Sequence, residues 1–287
     1  MKPFPIPVVP MIGPGSQPDE DEIVNFIATP GEMPVFRRPI LHREPATPEA
    51  LEKARSFLNR WADLMDETPF GAGQPPNMSL LGEDPDTMVE INELLGQGEV
   101  SVLIDGGRQI RVQESAFAGV WRIQASREDG SLVMDEIEAG AMPRIVTQSL
   151  AAQAGQVPVA VTPPANLMNA PALMNELQDQ SARYRPGKAA HVVNLTLLPV
   201  TAEDLEYIGD CLGRGNVSIL SRGYGNCRIT ATALPHTWWV QYFNSMDQLI
   251  LNTLEVGDVP DVALAAKEDY EDSIERLREW IITLEDV

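Results

Sequence analysis

The sequence is poor in cysteine and histidine, the residues most used for disulfides and transition-metal sites. It has two cysteines, Cys211 and Cys227, and three histidines in 287 residues. A disulfide-stapled secreted scaffold needs more cysteines, so this class is excluded and a reducing cytoplasm is predicted. The histidines, His42, His191 and His236, have no partner at the spacing of a metal site or a catalytic triad.

Basic residues are also scarce, because 42 acidic residues outnumber 21 lysines and arginines and leave a formal net charge of −21. This charge repels phosphate backbones and anionic lipid headgroups, which argues against nucleic acid or a membrane as the partner. A basic peptide would be attracted, although acidity more often serves solubility alone. The charge therefore narrows the class of partner without identifying it.

Long apolar runs are missing as well. The stretch 157–170 contains three prolines and two asparagines, and it falls short of the roughly 20 apolar residues that a membrane span needs. At the N-terminus, proline interrupts every apolar run before the core of a signal peptide can form. The sequence therefore predicts a cytoplasmic protein.

Motifs of catalysis and cofactor binding are absent from the sequence, which has no Gly-x-Ser-x-Gly and no His-Glu-x-x-His. Two Gly-x-Gly sites begin at Gly96 and Gly213, but each follows a predicted helix and precedes a predicted strand. A phosphate-binding loop has the reverse order, so glycine at a helix C-terminus explains both sites better. We predict that the protein is not an enzyme and has no cofactor.

Proline divides the chain. Residues 1–48 hold eleven of the 24 prolines, which predicts an extended arm, and Thr47-Pro48-Glu49 then predicts the start of a helix with Thr47 as N-cap. A second proline-rich stretch predicts a linker. The predicted parts are an arm (1–46), a unit with the first helix and a first repeat (47–157), the linker (158–171) and a unit with a second repeat (172–287).

The repeat is a pattern that recurs 117 positions later without a gap. Ile91–Leu103 aligns with Ile208–Leu220, and the match runs on to Pro143 over Pro260. Each copy predicts a helix ending in Leu-Gly-x-Gly, a strand, a glycine-containing turn, a long strand or bent pair of strands, a final strand and a helix. The predicted fold class is α+β, with two tandem α-β-β-β-α repeats, a proline-rich arm and flanking helices.

The segments around the second copy have patterns of their own. Residues 172–184 predict a helix and 191–198 a strand. Apolar residues at helical spacing predict a final helix over about 262–284, whose opposite face is mostly charged.

The repeat also bears on the cysteines. Cys211 aligns with Leu94 and Cys227 with Ile110, so both thiols are predicted to be core residues. The 15 residues between them also rule out the close spacing of a Cys-x-x-Cys pair. A metal or redox pair formed by these two cysteines is left as the weaker alternative.

Both copies need the same core residues to form the same scaffold, whereas a binding face can be present in one copy only. Positions at which the copies differ therefore indicate where a binding face lies. Trp239 stands where the first copy has Arg122, and Phe243 where it has Ser126; both aromatic side chains leave one face of a strand. They either pack under the C-terminal helix or form a patch that receives a partner. The predicted partner-binding residues are Arg222, Gly223, Tyr224, Gly225, Asn226, Trp239 and Phe243.

Several segments of the second copy have a distinctive sequence: Asn194–Pro199, Leu220–Arg228, Trp238–Ser245, Ile250–Val256 and Val259–Asp269. Together they resemble the HyaF/HupH family of nickel–iron hydrogenase maturation proteins. The resemblance is long and specific over roughly residues 165–285, and weaker in the first copy.

This resemblance implies an accessory protein of uptake hydrogenases that brings no catalytic residues with it. It implies a chaperone that binds the immature iron–sulfur small subunit before its export with a twin-arginine signal, and the acidic charge suits such a ligand. The expected partners are the small-subunit precursor and other maturation proteins. The alternative function is an iron–sulfur cluster-handling or redox-protective scaffold that uses Cys211 and Cys227, and the sequence leaves the oligomeric state open.

Overall fold

The computed structural model describes residues 47–105, 109–127, 129–153, 162–223 and 226–283. The predicted arm at 1–46 lies outside the described residues, as do Tyr224, Gly225 and part of the predicted linker. Within these ranges, no helix is long and apolar enough to cross a membrane.

The first half of the described chain has three helices and five strands. They are α1 (Pro48–Glu67), β1 (Asn77–Ser79), α2 (Pro85–Leu95), β2 (Val100–Ile104), β3 (Gln109–Glu114), β4 (Val120–Ser126), β5 (Leu132–Ala139) and α3 (Arg144–Gln153). The second half repeats this order and adds a short 3-10 turn at Asp261–Ala263 before the last helix. Its elements are α4 (Ala170–Arg183), β6 (His191–Asn194), α5 (Ala202–Leu212), β7 (Arg214–Ser221), β8 (Asn226–Thr232), β9 (Thr237–Phe243), β10 (Leu249–Val256) and α6 (Lys267–Thr283).

The ten described strands form one antiparallel sheet in the order β1-β5-β4-β3-β2-β7-β8-β9-β10-β6. The halves meet at β2 and β7, where Val102 pairs with Ile219. These two residues are 219 − 102 = 117 positions apart and hold equivalent places in the two halves. The halves therefore lie in an approximately twofold arrangement about this pair.

The helix ends follow the predicted local chemistry. The Thr47 hydroxyl accepts a hydrogen bond from the Ala50 N–H at 3.2 Å and caps α1. Gly96 and Gly213 end α2 and α5 with φ of 57° and 58°, a left-handed conformation that favours glycine. The prediction that the Gly-x-Gly sites are helix ends is confirmed.

The strand count differs from the predicted α-β-β-β-α pattern, because four strands follow α2 and α5 and one short strand precedes each helix. The prediction allowed a long strand or a bent pair of strands over this region, and the structure has the pair, β3 and β4. Phe117 lies in the turn between them and is buried. A buried aromatic residue in a turn explains why this turn resembles a strand in the sequence.

Two other predicted elements are shorter in the structure. Strand β6 ends at Asn194, because its side-chain oxygen accepts hydrogen bonds from the N–H groups of Thr196 and Leu197 and turns the chain. The predicted helix over 262–284 begins only at Lys267, after the 3-10 turn.

Both faces of the sheet are covered. On one face, α3 and the 3-10 turn cover a core that both halves share, with Val102, Trp121, Ile219 and Trp238 in it. On the other face, α1, α2 and α6 cover the first half, and α4 and α5 cover the second. The C-terminal helix thus belongs to the core of the first half.

Candidate functional site

The predicted partner-binding turn lies between β7 and β8. Arg222 and Gly223 are exposed, and the Arg222 N–H donates to the Glu99 carbonyl at 3.1 Å. A β-carbon at Gly223 would lie too close to the Glu99 carboxylate, the end of a flexible side chain that would have to move aside. Asn226, at the start of β8, donates its side-chain N–H to Asp247 at 3.2 Å and so links this turn to the β9–β10 turn.

The two predicted aromatic residues are not part of an exposed patch. Trp239 is 2% exposed and Phe243 is 4% exposed, so the patch prediction is wrong for them. The indole N–H of Trp239 donates to Asn252 Oδ1 at 2.6 Å, and its ring packs in the core under α4 and α5, not under α6. The Arg228 guanidinium lies 4.5 Å from the centre of the Phe243 ring and covers it.

A cluster of exposed apolar side chains lies close to this turn, and the sequence analysis missed it. Leu197 is 80% exposed, Met246 74% and Ile250 58%. We call the cluster the apolar corner, and its members are Leu197, Leu198, Met246, Leu249 and Ile250.

The pairing of β6 with β10 brings the apolar corner together. The Leu195 N–H donates to the Asn252 carbonyl at 2.9 Å, and the Asn252 N–H donates to the Thr196 hydroxyl at 2.8 Å. The turn after β6 therefore lies beside the start of β10. The sequence does contain a pattern that indicates this cluster. Asn194 and Asn244 each favour a turn, and apolar residues follow both of them, which predicts apolar side chains in exposed turns.

The structure separates the two cysteines. Cys211 on α5 packs in the core beside Trp239, on one face of the sheet, and Cys227 on β8 packs beside Ile229 on the opposite face. Burial raises the pKa of the Cys227 thiol to about 12, and a protonated thiol is a poor metal ligand and nucleophile. Both cysteines are buried as predicted, and they do not form a common site.

No cluster of three or more histidine, cysteine or carboxylate side chains arranged to hold a metal ion occurs in the part of the chain that the structure describes. Burial raises the pKa of Glu114, although the backbone N–H of Gly119 donates to its carboxylate at 3.2 Å. This hydrogen bond is a local contact within the turn between β3 and β4. The feature best suited to binding is therefore a surface: the apolar corner and the neighbouring turn.

Comparison with known proteins decides the family. A model of the C-terminal conserved region of the HupH hydrogenase expression protein matches residues 66–154 and 167–284. The chain belongs to this family. The two matched segments fall one in each half of the sheet, as expected for a repeated unit.

Curated relatives match over nearly the whole chain. The hydrogenase expression/formation protein HoxQ of Cupriavidus necator is 44% identical, over 98% of this chain and 99% of its own length. HupH of Rhodobacter capsulatus is 44% identical, over 93% and 94%. The hydrogenase-1 operon protein HyaF of Escherichia coli is 32% identical, over 94% of each chain. The resemblance seen in the sequence is confirmed.

A solved structure, the hydrogenase expression protein HupH from Thiobacillus denitrificans, is 26% identical and covers 40% of this chain and 96% of its own, with a TM-score of 0.38. The names of the family members support a role in hydrogenase maturation. They name expression and formation rather than a catalysed reaction, which is consistent with the prediction that the chain is not an enzyme.

Proposed function

We propose that the chain is a cytoplasmic accessory chaperone of nickel–iron hydrogenase maturation, and that it binds the immature iron–sulfur small subunit before twin-arginine export. Membership of the hydrogenase expression family supports the pathway. The apolar corner is the observation that supports a binding role. No described group supports the alternative cluster-handling function, because Cys211 and Cys227 lie on opposite faces of the sheet.

The argument for the apolar corner is its clustering. Single exposed leucines are common on soluble proteins, but several large apolar side chains on adjoining segments indicate a surface for another protein. The first half has fewer of them at matching places: Leu132, equivalent to Leu249, is 44% exposed, and Leu81, after β1, is 50% exposed. At these matching places the second half exposes more large apolar side chains, so the shared scaffold does not explain them.

Charge supports the choice of partner. The net charge of −21 attracts a basic segment over a distance that salt shortens, about 10 Å at 0.1 M ionic strength. A precursor with a twin-arginine signal offers both a basic segment and apolar side chains. We therefore expect the apolar corner to set the dissociation rate and the long-range charge to set the association rate.

The test is capture of the small-subunit precursor by tagged protein in reducing buffer. The variant L197D/I250D places two charges in the apolar corner, and we expect the affinity to fall about tenfold or more. The matched control L81D/L132D changes two exposed leucines of the first half in the same way, and we expect it to bind like the unmodified chain. Both pairs are exposed, so neither should unfold the protein.

Two further measurements test the role of the signal peptide and the role of charge separately. Capture that requires the signal peptide would locate the arginine pair at the interface, and weaker capture at about 0.5 M salt would support electrostatic steering. Equal loss in both double variants would remove the apolar corner from the proposal. No capture of a soluble precursor under any condition would refute the small subunit as the partner.

A further inference from the structure

A large cavity opens at the end of the sheet, away from the apolar corner, where loops of both halves meet. Its volume is about 460 Å³, within the roughly 300–1,000 Å³ range of sites for small ligands and short peptide segments. Aromatic and proline rings form much of its wall, among them Phe70, Pro75, Pro235, Trp238 and Tyr270. A wall of this kind suits an apolar ligand with flat or ring-shaped groups.

One polar group in the wall has no hydrogen-bond acceptor among the described residues. In the first half, the Trp121 indole N–H donates to the Gly140 carbonyl at 2.8 Å. Trp238 holds the equivalent place in the second half and is 2% exposed, but no described residue accepts a hydrogen bond from its indole N–H. The indole nitrogen is not fully enclosed, so it can donate a hydrogen bond to a molecule in the cavity that Trp238 lines. The cavity is therefore suited to an occupant that carries a hydrogen-bond acceptor.

Polyproline recognition meets both requirements. A polyproline II segment makes no internal hydrogen bonds, so its carbonyl groups are free to accept, and it docks in grooves lined by aromatic rings. Residues 1–14 of this chain have the matching composition, because prolines at five positions alternate with Phe4, Ile6, Val8, Val9 and other apolar residues. We propose that this N-terminal segment occupies the cavity and that one of its carbonyl groups accepts the hydrogen bond of Trp238.

The connecting chain is long enough. The loop that contributes Phe70 and Pro75 to the wall follows the C-terminal end of α1, and Thr47 lies at its other end. A helix of 20 residues is about 30 Å long at 1.5 Å per residue. Residues 15–46 span about 100 Å at 3.1 Å per residue if extended, about three times that distance.

The test uses the full-length chain labelled with 5-fluorotryptophan, whose five resonances are assigned by substituting each tryptophan in turn with phenylalanine. We expect deletion of residues 2–14 to move the Trp238 resonance and to leave that of Trp121 in place. A synthetic peptide of residues 1–14 should restore the original position in a saturable titration. W238F should weaken binding of this peptide to the truncated chain roughly three- to tenfold, the worth of one hydrogen bond, whereas W121F should not.

A second pair of variants protects the test from loss of folding on truncation. In the full-length chain, F4S/I6S/V8S should move the Trp238 resonance as the deletion does, and the matched control D19N/E20Q/D21N should not. A Trp238 resonance that is the same in the full-length, truncated and serine-substituted chains would overturn the proposal. A resonance that moves only on addition of the hydrogenase small-subunit precursor would also overturn it, because it would assign the cavity to a partner.

Discussion

The two halves have different hydrogen-bonded side-chain pairs at equivalent positions of the sheet. In the first half, Arg122 donates through Nε and Nη2 to the two carboxylate oxygens of Asp135, at 2.9 and 2.7 Å, and through Nη1 to Asn92. In the second half, these three positions are Trp239, Asn252 and Gly209, and the indole N–H donates to the amide oxygen. Gly209 has no side chain where the first half has that of Asn92.

This difference between the halves predicts that the effect of changing Arg122 on stability depends on the residues at positions 92 and 135. In R122W alone, the Asp135 carboxylate, buried and 5% exposed, loses its cation, and we expect the free energy of unfolding to fall by about 3–5 kcal/mol. The triple variant N92G/R122W/D135N copies the second half and should recover most of that loss. Urea unfolding measures both. A triple variant as unstable as R122W would show that the two arrangements are not interchangeable.

Trp239 also shows the limit of comparing single positions in a sequence. Aligned alone, Trp239 over Arg122 suggests a new surface aromatic residue, whereas Asn252 over Asp135 and Gly209 over Asn92 together indicate a repacked core. For the cysteines, the same alignment predicted burial correctly, because each aligns with a single apolar residue of the first half. Aligning one position is enough to predict that an apolar side chain is buried. For a buried hydrogen-bonded pair, both positions of the pair have to be aligned together.

At the scale of elements, the two halves begin equivalent helices with the same residue types in reversed order. Helix α2 has Asp84 as N-cap with Thr87 at the third position, and α5 has Thr201 as N-cap with Asp204 there. Asp204 also accepts hydrogen bonds from the N–H groups of residues 168–170 and so fixes the start of α4. Burial raises the pKa of Asp204, but backbone hydrogen bonds from Thr201 and residues 168–170 outweigh it and hold the pKa below its usual value.

The variant D204N tests this junction. Asp204 is fully buried and its charge is held by several N–H donors, so we expect the free energy of unfolding at pH 7 to fall by about 2–4 kcal/mol. Because the folded pKa is depressed, the carboxylate stabilises the fold above the unfolded pKa of about 3.9 and loses this effect as the pH falls through the folded value. The difference between D204N and the unmodified chain should therefore shrink below about pH 4.

The matched control for this prediction is D84N. Asp84 is a partly exposed N-cap, and hydrogen bonds from Thr87 lower its pKa to about 2. Because asparagine caps a helix nearly as well as aspartate and water reaches this site, we expect D84N to lower the stability at pH 7 by less than D204N. A D204N variant as stable as D84N, or a stability difference that stays constant from pH 7 to pH 3, would contradict the assigned role.

The sequence predicted elements well where a local signal defines both ends. Helix α4 spans Ala170–Arg183 against a predicted 172–184, and β4 and β9 both begin and end 117 positions apart. It failed where a contact from elsewhere sets the boundary. Residues 262–266 read as part of the last helix, but the Ala265 N–H donates to the Ala141 carbonyl at 3.0 Å, and the helix begins two residues later.

At the scale of the molecule, the last helix connects the two halves in a way that the repeat does not predict. The sequence assigned it to the unit at 172–287, but α6 packs its buried residues Tyr270, Leu277 and Ile281 among those of α1 in the first half. Arg278 also pairs with Asp63 of α1 at 2.9 Å. The division into units at 47–157 and 172–287 stays a prediction, and the contacts of α6 provide a direct test of it.

The variant L277A makes this test. Leu277 is fully buried, so its truncation should lower the free energy of unfolding by about 2–5 kcal/mol. If the last helix is part of the first core, hydrogen exchange should quicken most in α1 and α2. The matched control L177A removes the same side chain from the core under α4 and should quicken α4 and α5 instead. Exchange that quickens in α4 and α5 for both variants would favour the sequence-based division, because α6 would then stabilise the half to which the repeat assigns it.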